Sequence, residues 1–126
     1  MHRADAPGGR ARIFVVDDDA GMRTLFGRVM TLEGHEPVLF NEPMPALNAI
    51  QAGMQVDLML TDMNLGGNMT GLDLAREARR VRPDLPVVMV TGVYDTPASP
   101  DVAAMLFKPF RVHELVSTVA HCLAGP

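Results

Sequence analysis

The chain reads as an α/β protein, a doubly wound sheet of five parallel strands, and three observations predict it. Apolar runs of strand length alternate with segments of helical period from Ile13 to the end. Those runs are near-continuously apolar, as in strands covered by helices on both faces. The residues that close them are polar and rich in aspartate, and in an open parallel sheet ligands bind beyond the carboxyl ends of the strands.

The strand candidates are Ile13 to Val16, Pro37 to Phe40, Val56 to Leu60, Pro86 to Val90 and Ala104 to Phe107, the second and fifth carrying the weakest pattern. After the first, Met22, Leu25, Phe26, Val29 and Met30 recur at helical spacing. A short helix is expected over Ala46 to Ala52. A third should start after Thr70, because Thr70-Gly71-Leu72-Asp73 has capping-box spacing, and it should end as Pro83 approaches. Val112, Leu115, Val116, Val119, Ala120 and Leu123 mark the last helix. Between Tyr94 and Asp101, Pro97 and Pro100 each remove an amide donor and restrict the preceding residue, so a loop or a single turn is expected in place of a helix.

A length of 126 residues with 48% hydrophobic content fits one domain with a substantial core. Residues 1–11 hold no apolar run and read as a disordered tail, leaving 12–123 as the domain. A formal charge of −4 opposes a direct nucleic-acid binder, which would present a basic face. No segment is long and apolar enough for a membrane, and the lone Cys122 can form no internal disulfide, so a reducing, cytoplasmic setting is expected.

The strand ends converge on one chemistry. The first run closes on Asp17, Asp18 and Asp19, the third on Asp62, the fourth on Thr91 and the fifth on Lys108. Carboxylates gathered there would repel by about 4 kcal/mol per pair at ~4 Å and an effective dielectric of ~20. A hard divalent cation that prefers oxygen ligands and keeps several waters offsets this, which points to magnesium. Phosphoryl transfer needs such an arrangement: Asp62 as nucleophile, with Lys108 and the Thr91 hydroxyl on the remaining oxygens.

Taken together, VVDDD at Val15 to Asp19, LTDMNL at Leu60 to Leu65, VTG at Val90 to Gly92 and KPF at Lys108 to Phe110 resemble the response-regulator receiver family. The resemblance implies a flavodoxin-like sheet in order 2-1-3-4-5. It implies Asp62 as phosphoacceptor, Asp17 and Asp18 as the acid pair, and magnesium held by Asp17, Asp18, Asp62 and the backbone carbonyl of Asn64. Thr91 and Lys108 match the switch hydroxyl and the phosphate-binding lysine, and the Lys108-Pro109 bond is expected to be cis. The implied function is phosphorelay signal transduction, in a switch that acts on itself and is no enzyme toward other substrates. The implied partners are a histidine kinase or histidine phosphotransfer protein and a downstream protein.

The departures from the family pattern are local. Gly66 replaces a frequent proline in MNLGGNMTG, a turn that looks like those of receivers associated with hybrid histidine kinases. The segment from Thr91 to Lys108 is short, which predicts a fourth family helix that is short or absent. Met105 stands where the family carries its switch aromatic. Two alternatives are weighed: a haloacid-dehalogenase-like phosphohydrolase, whose acidic cluster beyond the lysine is missing here, and a degenerate receiver that binds a partner without phosphorylation. His113 and His121 read as surface residues, and the arginines Arg76, Arg79, Arg80 and Arg82 as a solvated face.

Overall fold

A computed structural model describes residues 10–125. Its order is β1 (Arg12–Val16), α1 (Ala20–Leu32), β2 (Glu36–Phe40), α2 (Pro43–Gln51), β3 (Leu58–Asp62), α3 (Gly71–Val81), β4 (Val87–Thr91), β5 (Ala104–Phe107) and α4 (Val112–Ala124). The strands form one parallel sheet in the order β2-β1-β3-β4-β5. This is the predicted topology, and the two weakly patterned strands lie at the edges, where each has a single strand neighbour.

Alternation along each strand sends its side chains to two separate cores. Ile13, Val15, Leu58, Leu60, Val88, Val90 and Leu106 pack with Phe26, Val29 and Met30 of α1 and Leu115 and Val119 of α4. Phe14, Val16, Met59, Val87 and Met89 pack with Leu47 and Ile50 of α2 and Leu74, Ala75 and Ala78 of α3. The methionines Met54 and Met63 pack against the second core, where Met59 and Met89 are fully buried, as flexible filler does.

Helix starts follow their sequence signals. Asp19 caps α1, its carboxylate accepting the Met22 N–H at 2.9 Å. Thr70 and Asp73 form the predicted capping box of α3, and Arg111 with Glu114 closes the start of α4. Several boundaries move, β1 and β2 each starting one residue early at Arg12 and Glu36. β3 covers Leu58–Asp62, two residues later than the apolar run, because Val56 is core while Asp57 turns to accept the Arg12 N–H at 2.7 Å. β4 likewise extends to Thr91, and α2 starts at Pro43, where proline suits a first turn.

The tail expected over residues 1–11 lies largely outside the described residues, but Ala11 belongs to the folded unit. It is fully buried, its N–H donates to His35 Nδ1 at 3.1 Å, and its carbonyl accepts from Glu36.

No helix joins β4 to β5. Residues 92–103 form a connection with isolated turns, long enough for a parallel crossover but with two prolines in its middle. Met105 and Val102 cover part of the second core where a helix would otherwise lie. Arg79 of α3 approaches Asp101 at 3.8 Å, and the Val102 N–H reaches the Ser99 carbonyl, which fastens the end of the connection.

Candidate functional site

Register carries the polar residues to one edge of the sheet. Val16 pairs with Thr61, Asp62 with Val90, and Thr91 with Phe107. Asp17 and Asp62 therefore emerge side by side, while Thr91 and Lys108 emerge at the next two strands. The Lys108 N–H donates to the Thr91 carbonyl at 2.8 Å, which extends the β4–β5 ladder to the lysine itself.

Carboxylate oxygens of Asp17, Asp18 and Asp62 lie within 4.8 Å of one another. Asp17 and Asp62 are buried and Asp18 is exposed. Lys108 Nζ stands 3.0 Å from Asp62 Oδ2, and the Asn64 N–H donates to Asp62 Oδ1 at 3.2 Å, so both acceptor oxygens are held. The Lys108-Pro109 bond is cis.

Asp17 is the most constrained member. One oxygen accepts the Asp19 N–H at 2.9 Å; the other, Oδ2, is buried with no hydrogen-bond partner among the described residues. Burial pushes this carboxyl up from 3.8 to about 6, the Asp19 N–H pulls it back, and the Asp62 charge pushes it up further. A buried carboxylate oxygen with no donor, two neighbouring carboxylates and a single lysine fit a hard divalent cation, which favours oxygen ligands.

Two glycines make room. A Cβ on Gly71 would overlap the Asp62 carbonyl and Met89 Sδ, so only glycine lets α3 start against the end of β3. Gly66 has φ +74°, and a Cβ there would sit 2.8 Å from Asp18 Oδ2. The side chain of Asn64 accepts the Gly66 N–H at 3.2 Å and shapes that turn.

Three residues at this edge escaped the sequence reading. Arg23, one turn into α1, donates to the Asp17 carbonyl at 2.8 Å. Tyr94 stacks on Phe107 with centroids 5.4 Å apart and donates its hydroxyl to the Lys108 carbonyl at 3.2 Å. Thr96 contacts Thr91. The lone tyrosine of the chain was the available signal for the second, whereas nothing in the spacing marks Arg23 or Thr96. His113 and His121 are both exposed, as expected. Two arginines of α3 pair within the helix, Arg76 with Asp73 at 2.9 Å and Arg80 with Glu77 at 3.5 Å, while Arg79 reaches Asp101.

Comparison with known proteins gives a consistent answer. The family model described as response regulator receiver domain matches residues 13–120. The chain is similar to the response regulator receiver protein CpdR of Brucella abortus, 30% identical over 117 residues that cover 89% of this chain and 96% of that protein. It is also similar to the DNA-binding response regulator MtrA of Mycobacterium tuberculosis, 36% identical over 118 residues covering 87% of this chain and 49% of that protein. The chain thus spans about half the length of the MtrA relatives it matches. A solved receiver protein from Sinorhizobium medicae superimposes with a TM-score of 0.84 at 25% identity, covering 92% of this chain and 96% of that one. The receiver domain of NtrX from Brucella abortus gives 0.80 at 29% identity, covering 90% and 99%. With the sheet order, the strand-end residues and these matches in agreement, the chain belongs to the response regulator receiver domain family.

Proposed function

We propose that the chain takes a phosphoryl group from a histidine kinase or histidine phosphotransfer protein onto Asp62 and in that state changes its affinity for a downstream protein. The observation that carries this reading is the convergence of Asp62 with Lys108 at 3.0 Å and with the carboxylates of Asp17 and Asp18 at the strand ends. An Asp62 oxygen attacks phosphorus; its new O–P bond forms as the P–N bond to the donor histidine breaks, and the electron pair leaves with the imidazole. Lys108, already on the Asp62 carboxylate, balances the charge of the acyl phosphate, and Thr91, closing the adjacent strand, supplies a hydroxyl for another oxygen.

Asp17, Asp18, Asp62 and the Asn64 carbonyl would hold magnesium, which supplies charge neutralisation at the phosphoryl oxygens. Asp17 fits this role through its buried oxygen, unpartnered among the described residues. Arg23 holds the Asp17 carbonyl and so fixes the backbone from which the acid pair projects. The working unit proposed is residues 12–123 with Ala11 added, in a cytoplasmic setting. These residues do not themselves grip DNA in this reading, since the chain carries a net charge of −4.

The test is incubation with magnesium and acetyl phosphate followed by mass spectrometry of the modified residue. One phosphoryl group on Asp62 is expected. Turnover of a phosphomonoester, or a protein that stays unlabelled, would refute it.

A further inference from the structure

The hydroxyl of Thr91 is already committed. It accepts the Val93 N–H at 3.1 Å and lies 3.2 Å from the hydroxyl oxygen of Thr96. A hydroxyl has one proton, and that of Thr96 is directed to the Val93 carbonyl at 2.6 Å. The Thr91–Thr96 contact must therefore carry the proton of Thr91. The turn that presents Thr96 is fastened to β5, because Tyr94 within it stacks on Phe107 and bonds the Lys108 carbonyl.

We propose that Thr96 is a positioning residue that competes with the phosphoryl group for the single hydroxyl proton of Thr91, so that phosphorylation releases the 93–96 turn. The inference rests on the receiver reading above. With Met105 at the family's aromatic position, half-buried among core side chains, the Thr96 contact couples the site to the surface. When Thr91 donates to a phosphoryl oxygen, Thr96 loses its donor and the turn keeps only its Tyr94 fastening and its internal bonds. A contact made only in the resting state lowers apparent affinity for anything that needs Thr91 elsewhere.

The probe is beryllium fluoride, an inert phosphoryl mimic, titrated into the whole chain with magnesium and followed by calorimetry. Thr96→Val keeps the shape and removes the hydroxyl; it should bind the mimic roughly three- to tenfold tighter, the equivalent of one modest hydrogen bond. Thr96→Ser should behave as the parent protein. Magnesium affinity without the mimic should not change, because the hydrogen bonds of Thr96 go to Thr91 and Val93 and not to the carboxylates. Thr96→Ala replaces the valine variant if that one unfolds. Equal or weaker binding by the hydroxyl-free variant, while the parent protein binds the mimic, overturns this inference alone. A parent protein that neither binds the mimic nor labels at Asp62 overturns the receiver reading and this inference with it.

Discussion

Lys108 Nζ lies 3.0 Å from Asp62 Oδ2, an ion pair between residues 46 apart in sequence that closes the polar edge of the sheet. The lysine side chain is about one-third exposed, so water screens the pair and its share of folding stability is small, roughly 0 to 1 kcal/mol. In the proposed function its importance is to chemistry at Asp62.

Asp62→Asn should abolish labelling by acetyl phosphate, since the amide is no nucleophile, while Lys108→Ala should fold with a melting temperature within a few degrees of the parent. The lysine variant should still label but lose most of the phosphorylation-dependent gain in partner affinity. Intact-mass measurement and thermal denaturation check both; undiminished labelling of Asp62→Asn would remove that residue from its assigned role.

Magnesium should stabilise the parent protein by mass action, by about 2.7 kcal/mol at a concentration near a hundred times the dissociation constant. Asp17→Asn replaces a buried carboxylate whose Oδ2 has no partner among the described residues, so without metal it should be more stable than the parent by ~1 to 3 kcal/mol. It should also respond far less to magnesium. Urea denaturation with and without chelator measures this, and a variant as magnesium-responsive as the parent would contradict the role of Asp17.

Gly71→Ala should cost ~1 to 3 kcal/mol, because its Cβ would overlap the Asp62 carbonyl and Met89 Sδ, and overpacking of this kind is absorbed by backbone displacement. Labelling of Asp62 should slow as well, since the displaced backbone is its own. Gly67→Ala, with open space at its Cβ, serves as the control. Indistinguishable stabilities of the two variants would show that the tight approach is not real.

Burial lowers the pKa of His35 below its usual 6.5, with the charges of Glu33 and Asp57 opposing, and its Nδ1 accepts the Ala11 N–H. The folded state therefore binds a proton less readily than the unfolded chain. The contribution of His35 to stability is fully present above pH 6.5 and is lost as pH falls through the lower, folded value. His35→Gln should flatten this part of the stability profile below pH 6.5. An unchanged slope in urea melts at stepped pH would place the dependence elsewhere.

Much of this molecule is local information. Near-continuous apolar runs required strands covered on both faces, the Thr70 to Asp73 spacing set the start of α3, and Pro97 with Pro100 removed the helix between β4 and β5. The aspartates at the strand ends could be listed as a candidate set for the same reason, since each closes an apolar run. Strand limits were less legible, because Val56 is apolar and buried yet lies outside the ladder, and only pairing with neighbouring strands decides where a strand begins. The tertiary structure alone decided which oxygen of Asp17 has no partner among the described residues, that Gly71 abuts the Asp62 carbonyl, and that the hydroxyls of Thr91 and Thr96 meet at 3.2 Å. Periodicity reports which face of an element is buried. Distances between polar atoms on different elements depend on strand register and loop path, and no local pattern encodes them.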